Sequence, residues 1–253
     1  MTDAVFASRD MASYERSYVA SSFEPTQAAM RKKVVVEQLN RWRPKRLLEV
    51  GCGQDAIFNH YRGFEACVVV EPGEGFANTA RSMAKGDARI RIVQDFLESA
   101  ALNGVLGEKP FDVILISGLL HEVGDPVGLM AAAAMLMGPG SQLHVNVPNA
   151  RSLHRVLAFE MGLIDDLHQI SERQKSLQQH RTYDLKSLKD FCTRLGFQVT
   201  EAGSFFIKPF THDQMFLLSQ VGLLDERMLN GLMKLEKHLP GLGSEIYVNL
   251  KLA

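Results

Sequence analysis

Apolar positions in this chain come in short, nearly continuous runs. Leu47-Leu48-Glu49-Val50, Ala66-Cys67-Val68-Val69-Val70, Arg89-Ile90-Arg91-Ile92-Val93, Phe111 to Ile116 and Ser141 to Val147 are the clearest. Runs this short and this rich in β-branched residues predict strands buried on both faces, as in a parallel sheet. Between them the spacing becomes helical. Residues 10 to 43 carry a stripe through Val34, Val35, Leu39 and Trp42, flanked by Arg31, Lys32 and Lys33 and ended by Pro44. A helical stretch is expected from Ala56, and another, rich in Ala and Met, from Gly128 to Met137, stopped by Gly138-Pro139-Gly140.

The second half reads as further sheet with helical additions. Arg151 to Gln179 predicts a mostly helical insertion with a stripe through Leu153, Leu157, Met161 and Ile164. Asp184 begins a helix that ends at Gly196, and Phe197 to Phe206 is a sixth strand region. Asp213 to His238 is helical again, and Glu245 to Leu252 alternates as an edge strand does.

Polar groups gather where the first four strands end. Glu49-Val50-Gly51-Cys52-Gly53 follows the first run, Glu71-Pro72 the second, Asp95-Phe96 the third, and Ser117 with His121-Glu122 the fourth. An open parallel sheet binds its ligand at these C-terminal ends. Glycines in such a loop let backbone approach a ligand closely, because no Cβ intervenes. The spacing Gly51-x-Gly53-x-x-Ala56 also satisfies the degenerate dinucleotide fingerprint, so the loop by itself decides little.

Taken together, Glu49-x-Gly51-x-Gly53, Glu71, Asp95-Phe96 and Phe111-Asp112-Val113 resemble the motifs of class I S-adenosylmethionine-dependent methyltransferases, over roughly residues 46 to 200. Leu188-x-x-Phe191-x-x-x-Leu195-Gly196-Phe197 is similar to that family's last helix and the strand after it. The resemblance implies a Rossmann-like three-layer α/β sandwich: a seven-stranded, mostly parallel sheet, one antiparallel strand near its edge, and a helical cap. It implies S-adenosylmethionine as cofactor, bound by Glu49, Gly51, Cys52, Gly53, Glu71, Pro72, Asp95, Phe96 and Ser117. One departure is Asp55, where the family often places a third glycine.

A single domain over residues 1 to 253 is expected: an N-terminal helical lid at 1–43, a cofactor-binding half at 44–150, cap insertions at 151–182 and 208–243, and sheet elements at 183–207 and 244–253. Tyr14, Tyr18 and Phe23 sit in a polar stretch that suits a mobile lid. A helix that simply packs on the sheet fits equally well. Net charge is −1 and no polybasic run occurs, so neither nucleic acid nor an anionic membrane is expected as partner. The apolar stretch around Val127 to Met137 is too short to span a bilayer, and the first residues lack signal-peptide order, so a cytoplasmic location is expected. A homodimer is left open. Cys52, Cys67 and Cys192 are too few and scattered for a disulfide framework or a zinc site, and no metal is expected.

Methyl transfer to a hydroxyl needs a positioned acceptor and a base, and histidine is suited to that role near neutral pH. His121, just past the fourth strand, is the first candidate for the catalytic base. His144 sits mid-strand, where a hydrogen-bonded core histidine is the commoner outcome. Asn146, Asn149, His154, His180 and Tyr183, with Tyr14 and Tyr18, are candidates for binding a small polar acceptor such as a sugar or surface-glycan precursor. Two other classes stay open: an NAD(P)-dependent oxidoreductase sharing the fingerprint, and a non-catalytic cofactor-binding module. Glu49 counts against the oxidoreductase, whose fold usually keeps an apolar residue there.

Overall fold

The computed structural model describes residues 11, 13, 15, 16, 23–171, 174, 175 and 179–253. Tyr14 and Tyr18 lie outside the described residues. The strands are β1 Arg46–Val50, β2 Ala66–Val70, β3 Ile90–Val93, β4 Phe111–Ser117, β5 Met137–Pro148, β6 Phe197–Phe205 and β7 Glu245–Leu252. The helices are α1 Glu24–Trp42, α2 Glu74–Ala84, α3 Leu97–Leu102, α4 Pro126–Met135, α5 Leu153–Glu160, α6 Leu185–Arg194, α7 His212–Gln220 and α8 Glu226–Lys234.

The strands form one seven-stranded sheet in the order β3-β2-β1-β4-β5-β7-β6. The first five pair in parallel, and β7 is antiparallel to both β5 and β6. This is the mostly parallel α/β sheet that the sequence predicts. β7, however, is no edge strand: it lies between β5 and β6.

Side chains alternate across the sheet, so each strand feeds two packing layers. One layer collects Leu48, Val50, Val68, Val70, Ile114, Ile116, Val145 and Val248 against α3, α4 and α6. The other gathers Leu47, Cys67, Val69, Val113 and Leu115 under Val35 and Leu39 of α1. A third cluster joins Phe23, Met30 and Val34 to Phe205 and Phe206 at the end of β6 and to Met215 and Leu224 of the cap. Phe23, for which a mobile lid and a packed segment fitted equally well, is buried there and stacks on Phe206 with ring centroids 6.5 Å apart. Pro25 stands in the first turn of α1, where the missing N–H costs nothing.

Several predicted helices differ. After the glycine loop only a single 3-10 turn forms, Ile57–Asn59, not a helix. The Ala-rich helix stops at Met135, and Gly138-Pro139-Gly140 belongs to β5 rather than to a helix end. Within 151–179 the described helix is α5, and it buries none of its residues. Leu157 and Met161, expected to face the core, are 44% and 61% exposed. The stretch 213–238 is broken into α7, α8 and the 3-10 turn Leu235–His238. Asp184 caps α6 as predicted, accepting from the Ser187 amide at 2.7 Å in a capping box. Among the described residues, no helix is long and apolar enough to cross a membrane.

Candidate functional site

A cavity of about 280 Å³ opens at the C-terminal ends of β1, β2 and β4, where the strand order turns from β1 to β4. Its floor is the loop after β1. Gly51 and Gly53 take φ of +74° and +57°, a left-handed conformation that side chains with a Cβ rarely adopt. Glu49, which also lines the cavity, accepts from the Ile57 amide with both carboxylate oxygens, at 3.0 and 2.9 Å. Burial pushes its carboxyl up to about 8 in spite of those bonds.

Glu71 at the end of β2 is tied to the same floor. Its Oε2 accepts from the Gly53 amide at 3.2 Å and its Oε1 from the Gly73 amide at 2.9 Å. Burial raises its carboxyl and these amides oppose the rise. Pro72 and Phe76 continue the wall, followed by Phe96, Leu97 and Glu98 after β3. Asp95 is not part of that wall: its oxygens accept from the Phe96 amide at 2.8 Å and the Ser99 hydroxyl at 2.9 Å, which holds the turn that presents Phe96. Cys52 lines the cavity, but burial pushes its thiol up, as it does that of Cys67, which disfavours the nucleophilic thiolate at both.

Asp55 replaces the expected glycine without loss of order. Burial works to raise its carboxyl, but hydrogen bonds from Lys32, Asn59 and His60 outweigh it and hold it at about 2. Lys32 lies on α1, so this ion pair fastens α1 to the cofactor loop.

The rest of the lining mixes polar and apolar groups. From α1 come Glu24, Ala28, Arg31, Lys32 and Val35; from the end of β4 and the segment after it come Ser117, Gly118, Leu119, Glu122 and Asp125. The Arg31 guanidinium is gripped by the buried Glu245 of β7, Nε to Oε2 at 2.8 Å and Nη2 to Oε1 at 2.6 Å. It passes so close to Gly118 that a Cβ there would come within 2.9 Å of Nη1. Gln27 donates to Glu245 at 2.9 Å and to Ser244 at 3.0 Å, extending the polar contacts under α1. Sequence spacing marked Arg31 and Lys32 only as flanks of a stripe, and nothing in it pointed to Glu245.

Other candidates fall in different places. His121 is 4% exposed and is not among the lining residues, whereas its neighbour Glu122 is; His121 Nε2 lies 3.5 Å from Glu122 Oε1. Asn146 is fully buried behind Ser117 and donates to its hydroxyl at 2.9 Å. Asn149 is occupied by structure: its Nδ2 donates to the carbonyls of Gly241 and Gly243, and its Oδ1 accepts from the Arg151 amide. Tyr183 packs against Phe191 in the core, His180 is exposed, and His154 is held neutral by burial beside Lys208 and His212. None of these four lines the cavity. Among the described residues, no group of three His, Cys, Asp or Glu could hold a metal ion.

A family model described as a methyltransferase domain matches residues 25–202. No curated protein matches the chain in sequence. Solved structures share its fold at low identity. The plantazolicin methyltransferase BamL, in complex with a triazolic desmethylPZN analog and SAH, superposes with a TM-score of 0.59 at 13% identity, covering 95% of each chain. A methyltransferase from Thermotoga maritima, described as a possible histamine N-methyltransferase, gives 0.59 at 17% identity over 96% of each chain. The N-methyltransferase NodS from Bradyrhizobium japonicum WM9 gives 0.56 at 10%, covering 90% of this chain and 97% of that one.

Proposed function

The chain belongs to the methyltransferase-domain family, and from that premise we propose that it moves a methyl group from S-adenosylmethionine to a small polar acceptor, a sugar or surface-glycan precursor. What supports this reading is one juxtaposition: the Glu71-tethered glycine loop lines the same cavity as Glu24, Arg31 and Glu122.

The residues present fit the cofactor. Gly51 and Gly53 hold the backbone open to a ligand, Glu71 offers a carboxylate to vicinal ribose hydroxyls, and Phe96 and Leu97 provide an apolar surface for a base. The cofactor supplies a methyl carbon already activated by its sulfonium. What remains for the chain is to hold an acceptor in line and take its proton. Glu122 is the carboxylate we assign to that proton, with His121 behind it as the group that orients it. For α1 the packing alternative is the better supported: Val35 and Leu39 lie against the sheet, and Lys32 fastens the helix to the loop through Asp55.

The departure at Asp55, the one hint of a non-catalytic module, is accounted for by its three hydrogen-bond partners. The oxidoreductase reading is weakened by the 3-10 turn, since a dinucleotide fingerprint leads into a helix whose N-terminus takes the pyrophosphate. An amine acceptor is a second reading, favoured by Glu24 and Glu122 in the lining and by two neighbours, one described as an N-methyltransferase and one as a possible histamine N-methyltransferase. Separate calorimetric titrations with S-adenosylhomocysteine and NAD test the cofactor assignment. Binding of S-adenosylhomocysteine alone is expected, and binding of NAD alone would overturn it.

A further inference from the structure

On the α1 side of the sheet a row of buried polar side chains leads away from the cavity. Ser117, which lines the cavity, accepts from Asn146 Nδ2 at 2.9 Å. The same nitrogen lies 3.0 Å from His144 Nε2, and His144 Nδ1 lies 2.8 Å from Asn249 Oδ1. Asn249 Nδ2 in turn donates at 3.0 Å to Glu201 and at 3.0 Å to Gln38. Asn146 and His144 are 0% exposed and Asn249 1%. Polar groups this deep are costly unless hydrogen-bonded, and an apolar side chain at each site would fill a sheet layer as well.

The direction of every bond in this row is fixed from its far end. A carboxylate only accepts, so Glu201 requires the amide nitrogen of Asn249 and turns its carbonyl toward His144. His144 must then carry its proton on Nδ1, which leaves Nε2 to accept from Asn146. Burial, which holds the imidazole down at about 4, keeps the ring neutral with a single proton. Asn146 therefore presents its amino group to Ser117, whose hydroxyl accepts it. That leaves the Ser117 proton to be donated, among the described residues to Asn146 Oδ1 at a long 3.3 Å.

We propose that Ser117 is the hydrogen-bond donor that positions the acceptor atom, that its donor direction is set by the Asn146–His144–Asn249 row, and that the methylated atom is oxygen. This rests on the methyltransferase reading above. A hydroxyl oxygen has two lone pairs: one receives the Ser117 proton and the other forms the new C–O bond. As it forms, the C–S bond breaks with its electron pair left on sulfur, and the hydroxyl proton passes to the Glu122 carboxylate. A neutral amine has one lone pair, which a donor at Ser117 would occupy.

The test pairs a spectroscopic measurement with kinetics. Imidazole ¹⁵N spectra of the full chain should show His144 protonated on Nδ1 and untitrated from pH 6 to 9; an Nε2-protonated ring overturns the row's direction. Methyl glycosides and matched aminosugars serve as the two probe sets. Wild type should methylate glycoside oxygen. On that probe Ser117→Ala should lower kcat/KM about tenfold with S-adenosylhomocysteine affinity within about twofold, while Ser117→Thr, which keeps the donor, recovers most of it. His144→Phe should produce a similar loss, His144→Gln, with an acceptor and a donor in their places, should recover it, and His144→Phe should add nothing in the Ser117→Ala background. Additive losses, or a matching loss of S-adenosylhomocysteine affinity, overturn the positioning role. Methylation of the amines alone overturns the oxygen inference and leaves the methyltransferase reading standing; methylation of neither set overturns the polar-acceptor reading and the inference with it.

Discussion

Glu71 reaches back eighteen positions in sequence to accept a hydrogen bond from the Gly53 amide at 3.2 Å. The acid that ends β2 thus braces the loop that follows β1. Its second oxygen, on the Gly73 amide, fixes the plane of the carboxylate. Glu71→Ala should therefore weaken S-adenosylhomocysteine binding by about 1–3 kcal/mol, the range for hydrogen bonds to a charged group. Glu71→Gln, which keeps the shape and one acceptor oxygen, should lose less. Calorimetry checks both, and unchanged affinity in Glu71→Ala would remove the ribose assignment.

At Gly51 two constraints coincide. Its φ of +74° is strained for any side chain, and a Cβ there would meet Leu119 Cδ2 at 3.2 Å. Gly51→Val and Gly53→Val should abolish measurable cofactor binding. Circular dichroism separates this from unfolding, and a folded variant with normal affinity would show that backbone approach is not needed.

If Glu122 receives the acceptor proton, Glu122→Gln should lower turnover by about 10²- to 10⁴-fold while leaving cofactor affinity nearly intact. His121, acting through it, should matter less: His121→Ala is expected to lower turnover by roughly tenfold and to shift the pH profile of kcat. Full activity in both variants would move the search for the base to Glu24.

His144 also makes a thermodynamic prediction. Burial lowers its imidazole from the usual value near 6.5 to about 4, so the unfolded chain takes up a proton that the folded state resists. Its stabilising contribution is complete above about pH 6.5 and is lost as pH falls from there through about 4, a total of about 3 kcal/mol at 1.36 kcal/mol per unit. Glu49 has the opposite sign: with its carboxyl pushed up to about 8, its contribution is present at low pH and is lost as pH rises through that value. The two must be separated by difference. Urea denaturation of wild type and His144→Phe should show the stability gap changing by roughly 2–3 kcal/mol against wild type between pH 7.5 and 4.5. A gap that stays constant would mean that His144 is not held neutral by the fold.

β1, β2 and β4 were legible because they are buried on both faces and write their apolar character continuously, as in Ala66 to Val70. The acids at their ends stood out for the same reason. β7 was misread because Glu245, Tyr247 and Asn249 alternate with Ile246, Val248 and Leu250 as if one face met water. That face lies under α1, where Arg31, Gln27 and Gln38 satisfy it. Polar residues buried against polar residues leave no trace in a hydrophobic pattern, and the same is true of Asn146; His144 was legible as a hydrogen-bonded core residue from its mid-strand place. The stripe on α5 failed for the converse reason: helical spacing records a face, but not whether another element covers it.

The grip of Glu245 on Arg31 joins residues 214 positions apart. During synthesis α1 and the four strands of the cofactor half leave the ribosome long before β7 exists, and β6 cannot join the sheet until β7 has been made to lie between it and β5. Loop closure over such a separation is slow, so the β1–β4 half is expected to become native first and the Arg31–Glu245 contact last. A nascent or partly refolded chain would then hold the glycine loop in place before Arg31 is fixed against Gly118.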